Sequence, residues 1–384
     1  MAPRHSGPGV YDKLGVRPII HGSGTTTRYG GSMMRPETIE AMREASQHLV
    51  NIDELNAAAG AAIARMLGAE AALVTAGSAA GLVLQAAACM TGDDPAKIAR
   101  LPDTTGMRRE FVIQRAHRFS YDQCYRIPGG VLVEIGLGRR TQPHELESAI
   151  GEATAGVIYL VSPFTSPPGA LSFEEVCAIA RARGVPVLVD AASMIPPRDN
   201  LFRYLRGGAD LVIYSGGKGI RGPQSTGILA GRRDLIRAAT LNASPNQAIG
   251  RPSKTSREEI VGLVTALELF LAEDEAAEMA RYRELCASIV DALRDVPGIR
   301  AVVEHDGVNR VIPHAVVYFE RDWRGPSGRA IQVALAQGEP HIYVQQGPHQ
   351  GGYGDEVAVD PINLQPGDEK VIAARLREEL TRTP

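Results

Sequence analysis

From residue 71 onward the chain alternates short runs of Val, Ile and Leu with helix-periodic stretches. The apolar runs are AALVT (from 71), FVIQR (111), VLVEIG (131), GVIYLV (156), VPVLVD (185), LVIYSG (211) and GILAG (227). Such largely apolar runs suit strands covered on both faces. Between them TQPHELESAIGEA (141) and SFEEVCAIARARG (172) repeat apolar residues at helical spacing, beginning at a Thr and a Ser. The alternation predicts an α/β fold with a mainly parallel, doubly wound sheet of seven strands, whose ligands sit beyond the carboxyl ends of the strands.

The stretch 255–295 has few helix breakers and reads as a long helical lever joining two domains. After it GIRAVVEH and HAVVYFE read as strands, and SGRAIQVALAQG and GDEKVIAARLREEL as helices, a smaller α/β unit. Near the N-terminus a loop-like IIHGSGTTTRYGGSMM precedes an amphipathic helix from Arg35, expected to pack as an arm on the small domain or on a partner subunit. The expected division is an arm over 1–50, a large domain over 51–254, and a linking helix with a small domain over 255–384.

Composition narrows the function. The 384 residues carry a net charge of -3 with Lys and Arg scattered, so no field for a polyanion exists and nucleic acid is not an expected partner. Cys89, Cys124, Cys177 and Cys286 form no CxxC and no cluster with histidines. They read as reduced thiols of a cytoplasmic protein, with no metal site expected. The opening MAPRHSGPGVYDKLG lacks an apolar export core, and GAEAALVTAGSAAGLVLQAAACM reads as strand, turn and helix rather than a membrane span.

Against this background LVIYSGGKGIRGPQSTGILAG raises a question, because it sets Lys218 among glycines directly after a strand. A lysine stripped of water there has a lowered pKa and a nucleophilic neutral amine, able to form a Schiff base. Alternatively it is an ordinary surface lysine. Asp190 ends VPVLVD, where a carboxylate can hold a pyridinium nitrogen protonated, or cap the next helix. In VTAGSAAGLVLQAAA the chain turns at Gly77 and Ser78 and offers the N–H groups of Ser78 and Ala79 to a phosphate, although Gly-Ser caps also occur without ligands. His117, two residues past the strand FVIQR, can stack on a flat ring or be a solvated loop residue. Rival motifs fail: there is no GxGxxG, no GxSxG, and Lys218 is followed by Gly219 rather than Ser or Thr.

Taken together, VRPIIHGSGTTTRYGGSMM, GAEAALVTAGSAAGL, AHRFSYD, VLVDAASMIPP and SGGKGIRGPQSTGIL resemble fold-type I pyridoxal-phosphate (PLP) enzymes. The resemblance is to the selenocysteine synthase and D-glucosaminate-6-phosphate ammonia-lyase group, and it covers nearly the whole chain. It implies pyridoxal 5'-phosphate as cofactor. Lys218 would be the Schiff-base lysine, Asp190 the partner of the pyridine nitrogen, and His117 the stacking residue. Gly77, Ser78, Ala79 and Ser215 would lie at the phosphate, and Ser193 near the phenolic oxygen.

Two departures matter. The family-like motif begins by residue 16, leaving no room for the tRNA module of selenocysteine synthases, so tRNA is not an expected substrate. Where related enzymes often carry an arginine, EPHIYVQQG has His341 and Gln345, and Arg28 becomes the candidate for the substrate carboxylate.

The resemblance implies a lyase performing α,β-elimination on a β-hydroxy or β-substituted amino acid or amino sugar acid. His117 and Tyr121 are candidate acids for the leaving group, and a homodimer or larger homo-oligomer is implied. Aldolase, racemase and aminotransferase chemistry, and PLP binding without turnover, remain open.

Overall fold

The structure, a computed structural model, describes residues 9–161, 169–305, 311–346 and 354–382. The chain forms two compact units, one of Gly30–Glu273 and one of Met1–Tyr29 with Asp274–Pro384. The first strand, β1 (Ile19–Gly22), lies inside the stretch expected to be loop. Four residues with no clear alternation gave no strand signal. They are held by parallel pairing with the smaller sheet, Ile19 opposite His341 and Gly22 opposite Val344.

In the larger unit the order is α1 (Pro36–Ala45), α2 (Ile52–Leu67), β2 (Ala71–Ala76), α3 (Gly77–Thr91), α4 (Pro95–Arg100), β3 (Glu110–Gln114), α5 (Gln123–Arg126), β4 (Val131–Ile135), α6 (Pro143–Ala149), β5 (Thr154–Leu160), α7 (Phe173–Ala182), β6 (Val187–Asp190), α8 (Asn200–Gly207), β7 (Leu211–Ser215), β8 (Thr226–Gly231), α9 (Arg233–Asn242) and α10 (Arg257–Ala272). The seven strands follow the order β2-β8-β7-β6-β5-β3-β4. Pairing from β4 to β7 is parallel, and β8 runs antiparallel to both neighbours.

In the central strands the apolar runs have the expected cause, whereas β4, at the edge of the sheet, leaves Val131 and Glu134 exposed and is not covered on both faces. In β7, Val212 and Tyr214 enter the core on one face of the sheet, while Leu211 and Ile213 enter the core on the other. Helix α7 starts at Ser172, whose side chain accepts from Glu175 N–H while Glu175 returns the bond. Helix α6 starts one residue later than its Thr suggested, because Gln142 and Glu145 form the capping box.

The 255–295 stretch is two helices. Glu273 is extended, and the Asp274 side chain accepts from the N–H groups of Ala276 and Ala277, starting α11 (Glu275–Leu293). An aspartate that caps a new helix offers the backbone more than it gains by continuing the old one. The smaller unit continues through β9 (Ile299–Glu304), β10 (His314–Phe319), α12 (Gly328–Gln337), β11 (His341–Gln346), β12 (Val357–Val359) and α13 (Asp368–Thr381). Its sheet has the order β1-β11-β12-β10-β9. Among the described residues no helix is long and apolar enough to cross a membrane.

Candidate active site

Lys218 lies in the loop that follows β7. A Cβ added at the next residue, Gly219, would stand 2.0 Å from Ile195 O and 2.6 Å from its carbon. Only glycine permits this approach. It presses the lysine loop against the segment leaving β6, and Lys218 Nζ donates to Ser193 Oγ at 2.5 Å. Burial lowers the Lys218 pKa, against a smaller opposing pull from Asp190. Burial likewise raises the Asp190 pKa, opposed by the Ala192 N–H, 3.1 Å from Oδ1, and by Lys218. Both groups therefore pay for lost water. The carboxylate wants a second cation, and the amine is eased toward its neutral, nucleophilic form.

Strand register carries the rest of the site. Leu160 of β5 pairs with Asp190 of β6, and Leu160 N–H donates to His117 Nδ1 at 3.4 Å. His117 thus stands one strand away from Asp190, in the short 3-10 turn Arg115–His117, and is 1% exposed. Its ring meets Tyr159 edge-on, centroids 4.6 Å apart. Accepting at Nδ1 leaves the proton of a neutral imidazole on Nε2. On the other side Ser215 of β7 pairs with Gly227 of β8, which pairs with Thr75 of β2. Ser215 and the end of β2 therefore share one row, about 10 Å apart across two strand spacings.

There the chain turns at Gly77, φ 72°, into α3. The N-cap, Ala76, has no side-chain hydrogen bond to the first turn, so the amides of Ser78 and Ala79 are open to an anion. This donor set fits PLP: an amine for the aldehyde, a buried carboxylate for the ring nitrogen, a buried imidazole one strand away, and amides for the phosphate.

Tyr121 is 51% exposed and stacks on Phe119, centroids 5.7 Å apart. Arg28 is exposed in the 3-10 turn Thr27–Tyr29 and belongs to the smaller unit, as do His341 and Gln345. Sequence reasoning missed Gln85 of α3, which is fully buried. It donates to Val189 O at 3.3 Å and accepts from the Tyr125 hydroxyl at 3.3 Å. This bracket fixes the strand end that carries Asp190. The available signal was one amide in an otherwise apolar helix.

The sequence family described as SelA, L-seryl-tRNA selenium transferase, matches residues 19–296. D-glucosaminate-6-phosphate ammonia lyase of Salmonella typhimurium is 32% identical over 376 residues, covering 97% of this chain and 98% of that protein. A 5'-C-glycyluridine monooxygenase-decarboxylase of a Streptomyces species is also 32% identical, over 96% of this chain and 92% of that one. A solved structure of D-glucosaminate-6-phosphate ammonia-lyase superposes with a TM-score of 0.85, covering 97% and 98% of the two chains at 32% identity. A serine palmitoyltransferase carrying PLP superposes with a TM-score of 0.59 over 94% of this chain and 87% of that one, at 14% identity. That likeness concerns the fold alone, which is the fold-type I architecture of PLP enzymes.

Proposed function

The chain belongs to the SelA family, and from that premise we propose that it is a pyridoxal 5'-phosphate lyase acting on an amino sugar acid such as D-glucosaminate 6-phosphate. The reaction is α,β-elimination, yielding a 2-oxo acid and ammonia. The observation that carries this reading is the 32% identity to the ammonia lyase, running over 97% of this chain and 98% of that protein.

Bound PLP would supply an electron sink for the pair left at the substrate's α carbon. The amides of Ser78 and Ala79, at the Gly77 turn, and the Ser215 hydroxyl hold the phosphate. Asp190 would hold a proton on the ring nitrogen, which would give its buried charge a cationic partner. Ser193 would serve the phenolic oxygen, and His117 would stack on the ring. Lys218 Nζ, eased toward neutrality by burial, would be the amine that holds the cofactor through its aldehyde. The same Nζ would be the base that takes the substrate's α proton. His117 Nε2–H, or the Tyr121 hydroxyl, supplies the proton with which the β-hydroxyl leaves as water. The same reading puts the enzyme in the cytoplasm as a homodimer or larger assembly, which sedimentation tests.

The purified, PLP-loaded protein is assayed with D-glucosaminate 6-phosphate, D-glucosaminate and D-serine, following 2-oxo acid as a hydrazone and ammonia, with no oxo acid added. Release of both products from at least one of these is expected. Glycine with an aldehyde would indicate an aldolase, racemisation alone a racemase, and dependence on added oxo acid an aminotransferase. Because the Streptomyces relative is equally similar, oxygen uptake and carbon dioxide are followed too. Their appearance in place of ammonia would replace the lyase reading with an oxidative one.

A further inference from the structure

Arg221 follows Lys218 by three residues and is the one non-glycine among the described residues with its backbone in the left-handed region, at φ 62°. That conformation is disfavoured for any residue with a Cβ, and where it persists it clusters at binding and catalytic sites. Glycine would adopt it without strain. What arginine adds is a guanidinium.

That guanidinium is held loosely. Its Nε donates to Met33 O at 3.4 Å, and its Nη1 stands 4.0 Å from Glu273 Oε1. Arg35 has the stronger claim on the same carboxylate, with Nη2 at 2.6 Å from Oε2, and Arg35 Nη1 also donates to Ile220 O at 3.2 Å. Arg198 donates to the Glu273 carbonyl. Three guanidiniums thus converge on one residue bearing a single negative charge. The side chains of Arg35 and Arg221 are only 13% and 18% exposed, so their charges are partly desolvated and a second anion would be welcome. Arg221 N–H donates to Lys218 O at 2.9 Å. This closes a turn that keeps the two Cα atoms within about 7 Å, close enough for both side chains to serve one small substrate.

We propose that Arg221, supported by Arg35, forms an oxyanion subsite of the active site that takes the acidic group of the substrate, carboxylate or phosphate. It rests on the reading of Lys218 and of an amino sugar acid substrate given above. Glu273 occupies Arg35 and leaves the Arg221 fork for a bidentate bond to the substrate. The task that the sequence reading assigned to Arg28 falls here to a residue in the same compact unit as Lys218.

The PLP-loaded full chain is titrated with D-glucosaminate 6-phosphate, D-glucosaminate and D-glucosaminitol, which lacks both acidic groups, following the absorbance change as each amine binds. If Arg221 takes the carboxylate, Arg221→Gly weakens D-glucosaminate about ten- to a hundredfold, the scale of a lost charge-assisted bond, and leaves D-glucosaminitol unchanged. If it takes the phosphate, the variant erases the advantage of the phosphorylated over the unphosphorylated acid. Arg221→Lys restores part of either loss. The thermal midpoint of Arg221→Gly holds or rises as the backbone strain is relieved, whereas a purely structural ion pair predicts a fall. Unchanged preferences in the variant, or equal weakening of all three amines, overturn the subsite. Arg221-dependent binding without oxo acid or ammonia leaves the subsite standing and removes the elimination reading. Product release with unchanged affinities in the variant does the reverse, and no absorbance change with any amine overturns both.

Discussion

Gly219→Ala tests the contact on which the lysine's position depends. The new methyl would lie 2.0 Å from Ile195 O, 2.6 Å from its carbonyl carbon and 3.1 Å from Pro196 N, whereas Cβ atoms essentially never come within 3.0 Å of another heavy atom. The obstruction is backbone and cannot rotate away, so the two segments must part by about 1 Å at least. Carried through to the Lys218 to Ser193 bond, now 2.5 Å, the shift stretches it to about 3.5 Å, past useful hydrogen-bond length.

Overpacking of this kind costs about 1–3 kcal/mol, and the lost flexibility of the unfolded chain returns about 0.4–1 kcal/mol. A net loss of about 1–2 kcal/mol in a unit of this size lowers the thermal midpoint by roughly 2–8 °C. The functional loss is larger, because a displacement of about 1 Å near the reacting atoms costs on the order of a hundredfold in rate. Two measurements read it: the thermal midpoint of the cofactor-free protein, and the rate at which Lys218 captures PLP, trapped by borohydride and mapped to its peptide. Gly138→Ala is the control, since nothing lies within 4 Å of its added Cβ. Both measurements should match wild type there. Wild-type capture and midpoint in Gly219→Ala would refute the claim that this backbone approach positions the lysine.

Two further outcomes follow from buried charge. Burial raises the folded-state pKa of Asp190 above its usual 3.8, so the folded protein holds that proton more tightly and its stability falls as pH climbs from about 3.8 through the raised value. Cofactor-free Asp190→Asn should therefore be more stable than wild type at pH 7, with the gap closing below about pH 4, while its PLP-loaded turnover drops at least about a hundredfold. A less stable variant at pH 7 would contradict the desolvation argument. For Lys218 the folded pKa lies below its usual 10.5, so the penalty for burying the ammonium is complete below the lowered value and fades as pH rises toward 10.5. Cofactor-free Lys218→Met should be more stable than wild type at neutral pH, with a difference that shrinks in alkali, and PLP capture by wild type should quicken with pH. Capture independent of pH, or a label on another lysine, would remove Lys218 from its role.

The strands of the larger sheet were legible in the sequence because the central ones are buried on both faces and therefore apolar at nearly every position, a local property. Lys218 and Asp190 were legible because a charged residue at the end of such a run stands out from its neighbours. What the sequence left undecided is whatever depends on who lies beside whom. The pairing of Leu160 with Asp190 brings His117 to its station one strand away, and β1 exists through its partner β11. The break at Glu273 lay within a run of good helix formers, and only the cap at Asp274 ended it. Gly219 could be read as one more loop glycine, and its need for Ile195 appears only when β6 and β7 lie side by side. Arg221 had no signal at all, because its share in Glu273 joins residues more than fifty positions apart in the chain. Hydrophobic periodicity and residue chemistry are written along the chain. Register, close approach and the sharing of one carboxylate between two arginines arise from packing, and only the folded protein decides them.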